Sequence, residues 1–329
     1  MMAKNPHILL VQPLEVAAMD WLAARHPLAY KPSLQYDRAA LLRELGEVRA
    51  LVLPPQVQVN AELLDAAPHL RVVARLEEGD ANTDLEGCQR RRVRVVQAAS
   101  GVARAQAEYV LGALLLLMRR GMGVRPLSAS AAEVPVVPVG REVHGSTVGL
   151  LGLTATAHAV APLFSAMGAK LIGYDPAVHR SSELWGRLGV TPLGLADLLG
   201  RADAVVCLMG YASRYRGLFN DRTLADCRQG QYWVSVSRHE LFDPSALADA
   251  LRARTMAACI IDSADASLTE PGAELAGLPN FVRTPGLADN TIETKVRESW
   301  FILDRIHEML DLPDADFDGQ MSTPMPLTL

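Results

Sequence analysis

The feature that most constrains this chain is an alternation of short Val/Ile/Leu runs with stretches of helical period. Runs without polar alternation are buried on both faces, the condition of strands in a parallel sheet covered by helices. Ile8 to Val11, Ala50 to Leu53, Val72 to Ala74 and Val93 to Val96 are such runs, and Val16 to Ala24 is an amphipathic stretch between the first two. One long apolar helix over Ala103 to Arg119, closed by two arginines, ends this series. The segment Gly121 to Gly145 is broken by Gly and Pro and marks a boundary. From Thr147 a second series begins: strands over Val148 to Leu151, Lys170 to Tyr174, Ala204 to Leu208, Trp233 to Val236, Ala257 to Ile261 and Phe281 to Arg283, with a helix over Thr156 to Met167. A closing helix spans Ile292 to Leu310, and the Asp/Pro-rich tail from Leu312 reads as mobile. Two strand-helix series in one chain predict an α/β protein with two doubly wound parallel-sheet domains.

Composition supports two cores and narrows the partners. The chain has 329 residues, half of them hydrophobic, and a formal net charge of −5. No basic stripe exists for a nucleic-acid backbone or an anionic membrane, so small molecules or proteins are the expected partners. Cys88, Cys207, Cys227 and Cys259 are widely spaced without a C-x-x-C, which reads as buried thiols in a reducing cytoplasm. Met1 to Pro6 lacks a signal-peptide apolar region, and Val110 to Met118 is too short to span a bilayer, so a soluble cytoplasmic protein is expected. The histidines, His144 and His158 among them, lack metal-ligand spacing, and no metal site is expected.

The stretch GSTVGLLGLTATAHAVAPLFSAMGAKLIGYDP is strand, turn, helix, strand, ending in an acid. Gly152 opens the turn and Asp175 lies twenty-three positions on (175 − 152 = 23). At that distance in a Rossmann unit an acid reads the adenosine ribose hydroxyls and favours NAD over NADP. The plainer alternative is an acid that merely ends a strand.

GREVHGSTVGLLGL, VSVSRHELFDPSALADAL and LPNFVRTPG follow one another in the order and near the spacings of the D-2-hydroxyacid dehydrogenases. With LRVVARLEEGDANTDLE and AQAEYVLGALLLLMRR added, the chain resembles that family over nearly its whole length. The resemblance implies a flavodoxin-like substrate domain from residues 1–100 and 290–329, and a Rossmann NAD-binding domain over residues 101–289. It also implies an active site in the cleft between them, a small 2-hydroxy or 2-keto acid as substrate, and a homodimer paired through the Ala103 to Arg119 helix and the cofactor domain. Carried over by matching motif, the substrate-binding arginine is Arg238, whose guanidinium fork suits a carboxylate. The carboxylate that charges the acid/base histidine is Glu270, although three extra residues separate it from Asp262. The cofactor turn is Gly152 and Thr154 with Asp175, and the anion loop of the substrate domain keeps Gly79.

Departures from the family pattern fall on the chemistry. The family's T-P-H is here Thr284, Pro285, Gly286. Glycine carries no proton, and loss of a positioned general acid/base costs about 10²- to 10⁴-fold in rate. The G-x-G-x-x-G turn reads Gly152, Leu153, Thr154, Ala155, Thr156, Ala157, placing a β-branched residue where the backbone approaches a pyrophosphate. Glu77, Glu78 and Asp80 surround Gly79, and unless they point into solvent they repel an anionic substrate. Gly210, Tyr215 and Ser235 also depart from the family's residues. His239, directly after Arg238, is either a relocated proton donor or a solvent-facing side chain. The pattern leads to the expectation of a catalytically degenerate member, a pseudoenzyme with a binding or regulatory role. The alternative is an active NAD-dependent oxidoreductase using Arg238, Glu270 and His239 or water.

Overall fold

A computed structural model describes residues 7–76, 82–98, 101–120 and 139–311. The chain divides into two compact units, Met1–Val102 with Thr291–Leu329, and Ala103–Asn290. Each is built on one wholly parallel sheet.

The first unit's described strands are β1 (Ile8–Leu10), β2 (Leu28–Tyr30), β3 (Ala50–Val52), β4 (Val72–Arg75) and β5 (Arg94–Gln97), in the order β2-β1-β3-β4-β5. That is the flavodoxin-like order, with the chain reversing direction of progress at β1. Two apolar layers flank the sheet, as unalternating strands require. On one, Ile8, Leu10, Val52 and Ala74 pack with Ile302, Leu303 and Ile306 of the closing helix Ile292–Asp311. On the other, Leu9, Leu51 and Val73 pack with Leu41, Leu45 and Leu63.

The second unit's described strands are β6 (Thr147–Leu151), β7 (Lys170–Tyr174), β8 (Thr191–Pro192), β9 (Ala204–Cys207), β10 (Gln231–Ser235), β11 (Met256–Asp262) and β12 (Phe281–Thr284). Their order is β12-β11-β10-β9-β6-β7-β8, the doubly wound Rossmann order extended by one strand. The chain switches direction between β6 and β9, so the loops leaving those strands diverge and open a crevice at their carboxyl ends. The helix Ala103–Met118 and the helix Ala155–Ala166 cover one face, with Val110, Leu114, Val160 and Phe164 fully buried. The other face buries Trp233, Phe219 and Phe242 in one aromatic cluster, with ring centroids 4.9 to 5.9 Å apart.

Glu77, Glu78, Gly79 and Asp80, residues 121–138 of the boundary segment and the tail from Leu312 lie outside the described residues. All four cysteines are free and buried. Among the described residues, no helix is long and apolar enough to cross a membrane.

Candidate active site

In the second unit, the residues singled out from the sequence gather where the strands end. Gly152 follows β6, Asp175 follows β7, Arg238 and His239 follow β10, and Gly286 follows β12. This shared edge is a consequence of parallel topology, since every strand delivers its next loop to the same side.

The turn after β6 is shaped by one glycine. Gly152 has φ +96°, and a Cβ there would lie 2.8 Å from both Cα and N of Met209. Left-handed backbone and a neighbouring main chain together exclude any side chain. Thr154 stands at φ −84° as N-cap of the helix Ala155–Ala166, a conformation that does not demand glycine. Its hydroxyl makes no capping bond, and its Oγ1 is buried with no partner. The hydroxyl is therefore turned into the protein. The helix's first main-chain acceptor is the Thr154 carbonyl, bonded by the His158 N–H at 3.2 Å. The N–H groups of Ala155, Thr156 and Ala157 thus have no acceptor within the helix, and they face the end where the helix dipole favours negative charge. Gly210, on the β9 loop across the crevice, has open space around its Cα. Asp175 braces the turn, accepting the Leu153 N–H at 2.6 Å on Oδ2 and the Ala177 N–H at 2.7 Å on Oδ1. Free first-turn donors and a glycine-lined approach fit a dinucleotide diphosphate. One lone pair on each Asp175 oxygen remains for ribose hydroxyls.

The β10 and β11 ends form a second cluster. Glu240 receives Arg238 in two contacts, from Nη2 at 2.7 Å and from Nε at 3.3 Å. The guanidinium also lies 4.9 Å from the Tyr211 ring centroid. Burial pushes the Glu240 carboxyl up, but the Arg238 hydrogen bond, its own backbone N–H and the neighbouring charges outweigh this and hold it below its usual value. His239 is mostly buried, and both ring nitrogens meet protein groups. Nε2 lies 3.2 Å from Asp265, while Nδ1 lies 3.3 Å from the Ser263 hydroxyl and 3.4 Å from Glu240. The Ser267 N–H and hydroxyl, then the His239 and Arg283 charges, keep Asp265 below the ordinary carboxylate range. Glu270 is exposed, and no described hydrogen bond or ion pair joins it to Arg238 or His239. The carboxylates that pair with Arg238 and His239 are Glu240 and Asp265. The sequence signal for Asp265 was its place just beyond the end of β11.

At the end of β12, Asp262 organises the loop that carries Gly286. Its Oδ1 accepts the Thr284 hydroxyl at 2.5 Å and the N–H groups of Gly286 and Leu287 at 3.0 and 2.9 Å; its Oδ2 accepts the Ala288 N–H at 2.9 Å. Since Thr284 spends its one proton on Asp262, the Tyr109 phenol is the donor in the 2.5 Å Tyr109–Thr284 contact. Gly286 has φ +75° and nothing within 4 Å of where a Cβ would stand. Beyond it, burial pushes the Asp289 carboxyl up, and the Asp262 charge adds to the effect.

The model of the D-isomer specific 2-hydroxyacid dehydrogenase NAD binding domain matches residues 112–288 of this chain, which include this whole edge. The chain belongs to that family. It is 30% identical to the (S)-sulfolactate dehydrogenase of Chromohalobacter salexigens over 92% of this chain and 98% of that protein. It is 33% identical to the D-3-phosphoglycerate dehydrogenase of Mycobacterium leprae over 86% of this chain, and spans about half (54%) of that longer relative. In fold it is similar to the D-lactate dehydrogenase of Aquifex aeolicus solved with NAD and lactic acid, with a TM-score of 0.74 at 18% identity, covering 97% of this chain and 99% of that one.

Proposed function

We propose that this chain binds NAD or NADH at the β6 turn of its second unit and has lost the family's proton transfer, so that it serves as a binding or regulatory member of the family. The observation that carries the reading is His239, the one histidine beside Arg238. Both of its ring nitrogens are engaged by Asp265, Ser263 and Glu240. A general acid needs one nitrogen oriented by the protein and the other turned to the reacting oxygen.

When bound, a nicotinamide would supply or accept the hydride; the protein's share is to hold the substrate carboxylate and move a proton at its carbonyl oxygen. Arg238 would hold the carboxylate, but Glu240 already occupies two of its nitrogens, so an incoming anion competes with an internal one. At the family's histidine position Gly286 offers no proton. Restoring histidine there is sterically open, yet φ +75° makes it cost about 1–2 kcal/mol of backbone strain.

A second reading, an active oxidoreductase on a small 2-hydroxy or 2-keto acid, is favoured by the similarity to (S)-sulfolactate dehydrogenase along nearly the whole of both chains. Calorimetric titration with NADH, followed by turnover assays over small 2-keto acids including a sulfonated one, separates the two. Saturable NADH binding without turnover above the free-cofactor background is expected. Turnover that falls at least about tenfold in His239→Ala would overturn the first reading and establish the relocated donor. Absence of NADH binding would overturn both.

A further inference from the structure

Away from this edge, the first unit gathers His26, His307 and Asp311 from opposite ends of the sequence. His26 lies just past the helix Val16–Ala23, where its N–H donates to the Leu22 carbonyl at 2.9 Å. His307 and Asp311 sit one turn apart on the closing helix. His26 Nε2 lies 2.9 Å from His307 Nδ1 and 3.9 Å from Asp311 Oδ1, and His307 Nδ1 lies 3.4 Å from Asp311 Oδ2. Trp21 holds the arrangement from the side, edge-on to His307 at 5.1 Å between centroids and to Trp300 at 5.9 Å. The two imidazoles are largely buried, with His26 12% and His307 29% exposed, while Asp311 is 59% exposed.

Protons alone satisfy this cluster poorly. With both imidazoles neutral, the 2.9 Å contact takes one N–H, and that proton uses up both facing nitrogens. The carboxylate then faces a nitrogen lone pair or a proton already engaged, at 3.4 and 3.9 Å, longer than ordinary hydrogen bonds. One ligand atom from each of the three residues lies within 4.8 Å of the other two. A tetrahedral ion with bonds of about 2.0–2.1 Å would set these edges at roughly 3.3 Å, within reach of a small movement of the exposed Asp311 carboxylate.

We propose that His26, His307 and Asp311 bind a divalent transition ion of the zinc class. Two imidazoles and a carboxylate suit zinc over magnesium or calcium, which take oxygen ligands. Asp311 opens the site to solvent, so water completes the coordination. Ligands 281 residues apart in sequence make the ion a clip that ties the closing helix to the start of the unit. Because a clip of this kind binds only the folded chain, its occupancy stabilises the fold by mass action. The sequence alone did not reveal it, since a search for local ligand spacing passes over a pair formed by tertiary packing.

The test is calorimetric titration of the full, tag-free, chelator-stripped chain with zinc chloride, with thermal unfolding in parallel. One zinc per chain and a Tm that rises with zinc are expected. Asp311→Asn, on an exposed residue, and His307→Gln should each weaken binding at least about tenfold and abolish most of the Tm response. Cobalt(II) in place of zinc should give the visible absorption of a tetrahedral nitrogen–oxygen site in the parent chain and not in His307→Gln. No zinc binding by the parent chain, or binding and Tm response unchanged in both variants, would overturn the proposal.

Discussion

Asp262 is where one side chain determines the shape of a whole loop, and Asp262→Ala gives a large, calculable perturbation. The carboxylate accepts four donors: the Thr284 hydroxyl and the N–H groups of Gly286, Leu287 and Ala288. These donors are not equal once the acceptor is gone. Leu287 is 49% exposed, so water can replace its partner, and the loss there is near the net value of about 0.5–1.5 kcal/mol. Ala288 is 2% exposed, so its N–H would be stranded at about 1–3 kcal/mol. Partial relaxation of the loop offsets some of the remainder, and the sum comes to about 2–4 kcal/mol, roughly a thirty- to thousandfold shift in the opening equilibrium. Denaturant unfolding read through the buried Trp233 of the same unit measures the global loss. Amide hydrogen exchange across 286–288 measures the local one. A loss below about 1 kcal/mol, with Ala288 as protected as in the parent, would refute the view that this carboxylate holds the loop.

Two further changes probe the two ends of the site. Gly152→Ala adds a methyl 2.8 Å from Met209 main chain in a left-handed conformation, so a stability loss of about 2–5 kcal/mol is expected, with weakened NADH binding; a fully stable variant with parental affinity would contradict it. Asp289→Asn is expected to be more stable than the parent at pH 7. The raised carboxyl of Asp289 favours the fold while protonated, and that contribution fades as pH rises through its folded value, so the gain should vanish below about pH 4, where both chains are neutral there. Denaturation midpoints across that range that stay parallel would rule it out.

Much of the fold was legible because parallel strands write themselves as apolar runs. Ile8 to Val11 and Lys170 to Tyr174 stand out that way, and their strands begin where the runs do. Leu28–Tyr30 and Thr191–Pro192 went unread: both are edge strands that pair on one side only, half-buried or exposed and only three and two residues long, too short to stand out as runs. At the site, glycine and acid positions were readable because backbone geometry fixes them, as the φ of Gly152 and the turn-bracing bonds of Asp175 illustrate. Charge partnership was harder. The E-P motif singles out Glu270 as partner of the family's histidine, a position that is Gly286 here, and it carries no signal for the pairs Arg238–Glu240 and His239–Asp265, one partner beside the arginine in sequence and one delivered by the next strand. Pairing across neighbouring strand ends depends on loop paths of a few ångströms, which residue spacing does not encode.

The same strand edge is in two different states, and the contrast bears directly on what the protein does. Around β6 the polar groups that face the turn are left unspent, the first-turn N–H groups having no helical acceptors. Around β10 to β12 they are spent within the protein, Arg238 on Glu240, His239 on Asp265 and Asp262 on four donors. Unspent donors can be satisfied by a ligand at little cost, whereas spent ones must first be separated, and with Arg238 and Asp265 about half exposed each such separation costs about 0–1 kcal/mol. Under the proposed function, free groups at the diphosphate end and mutually satisfied groups at the proton-transfer end go with holding a dinucleotide rather than turning it over. The two properties should come apart under mutation. Replacing Glu240 with Gln would leave NADH affinity near the parent's while freeing Arg238 to take an added 2-keto acid, and a loss of both together would show that the two ends act as one.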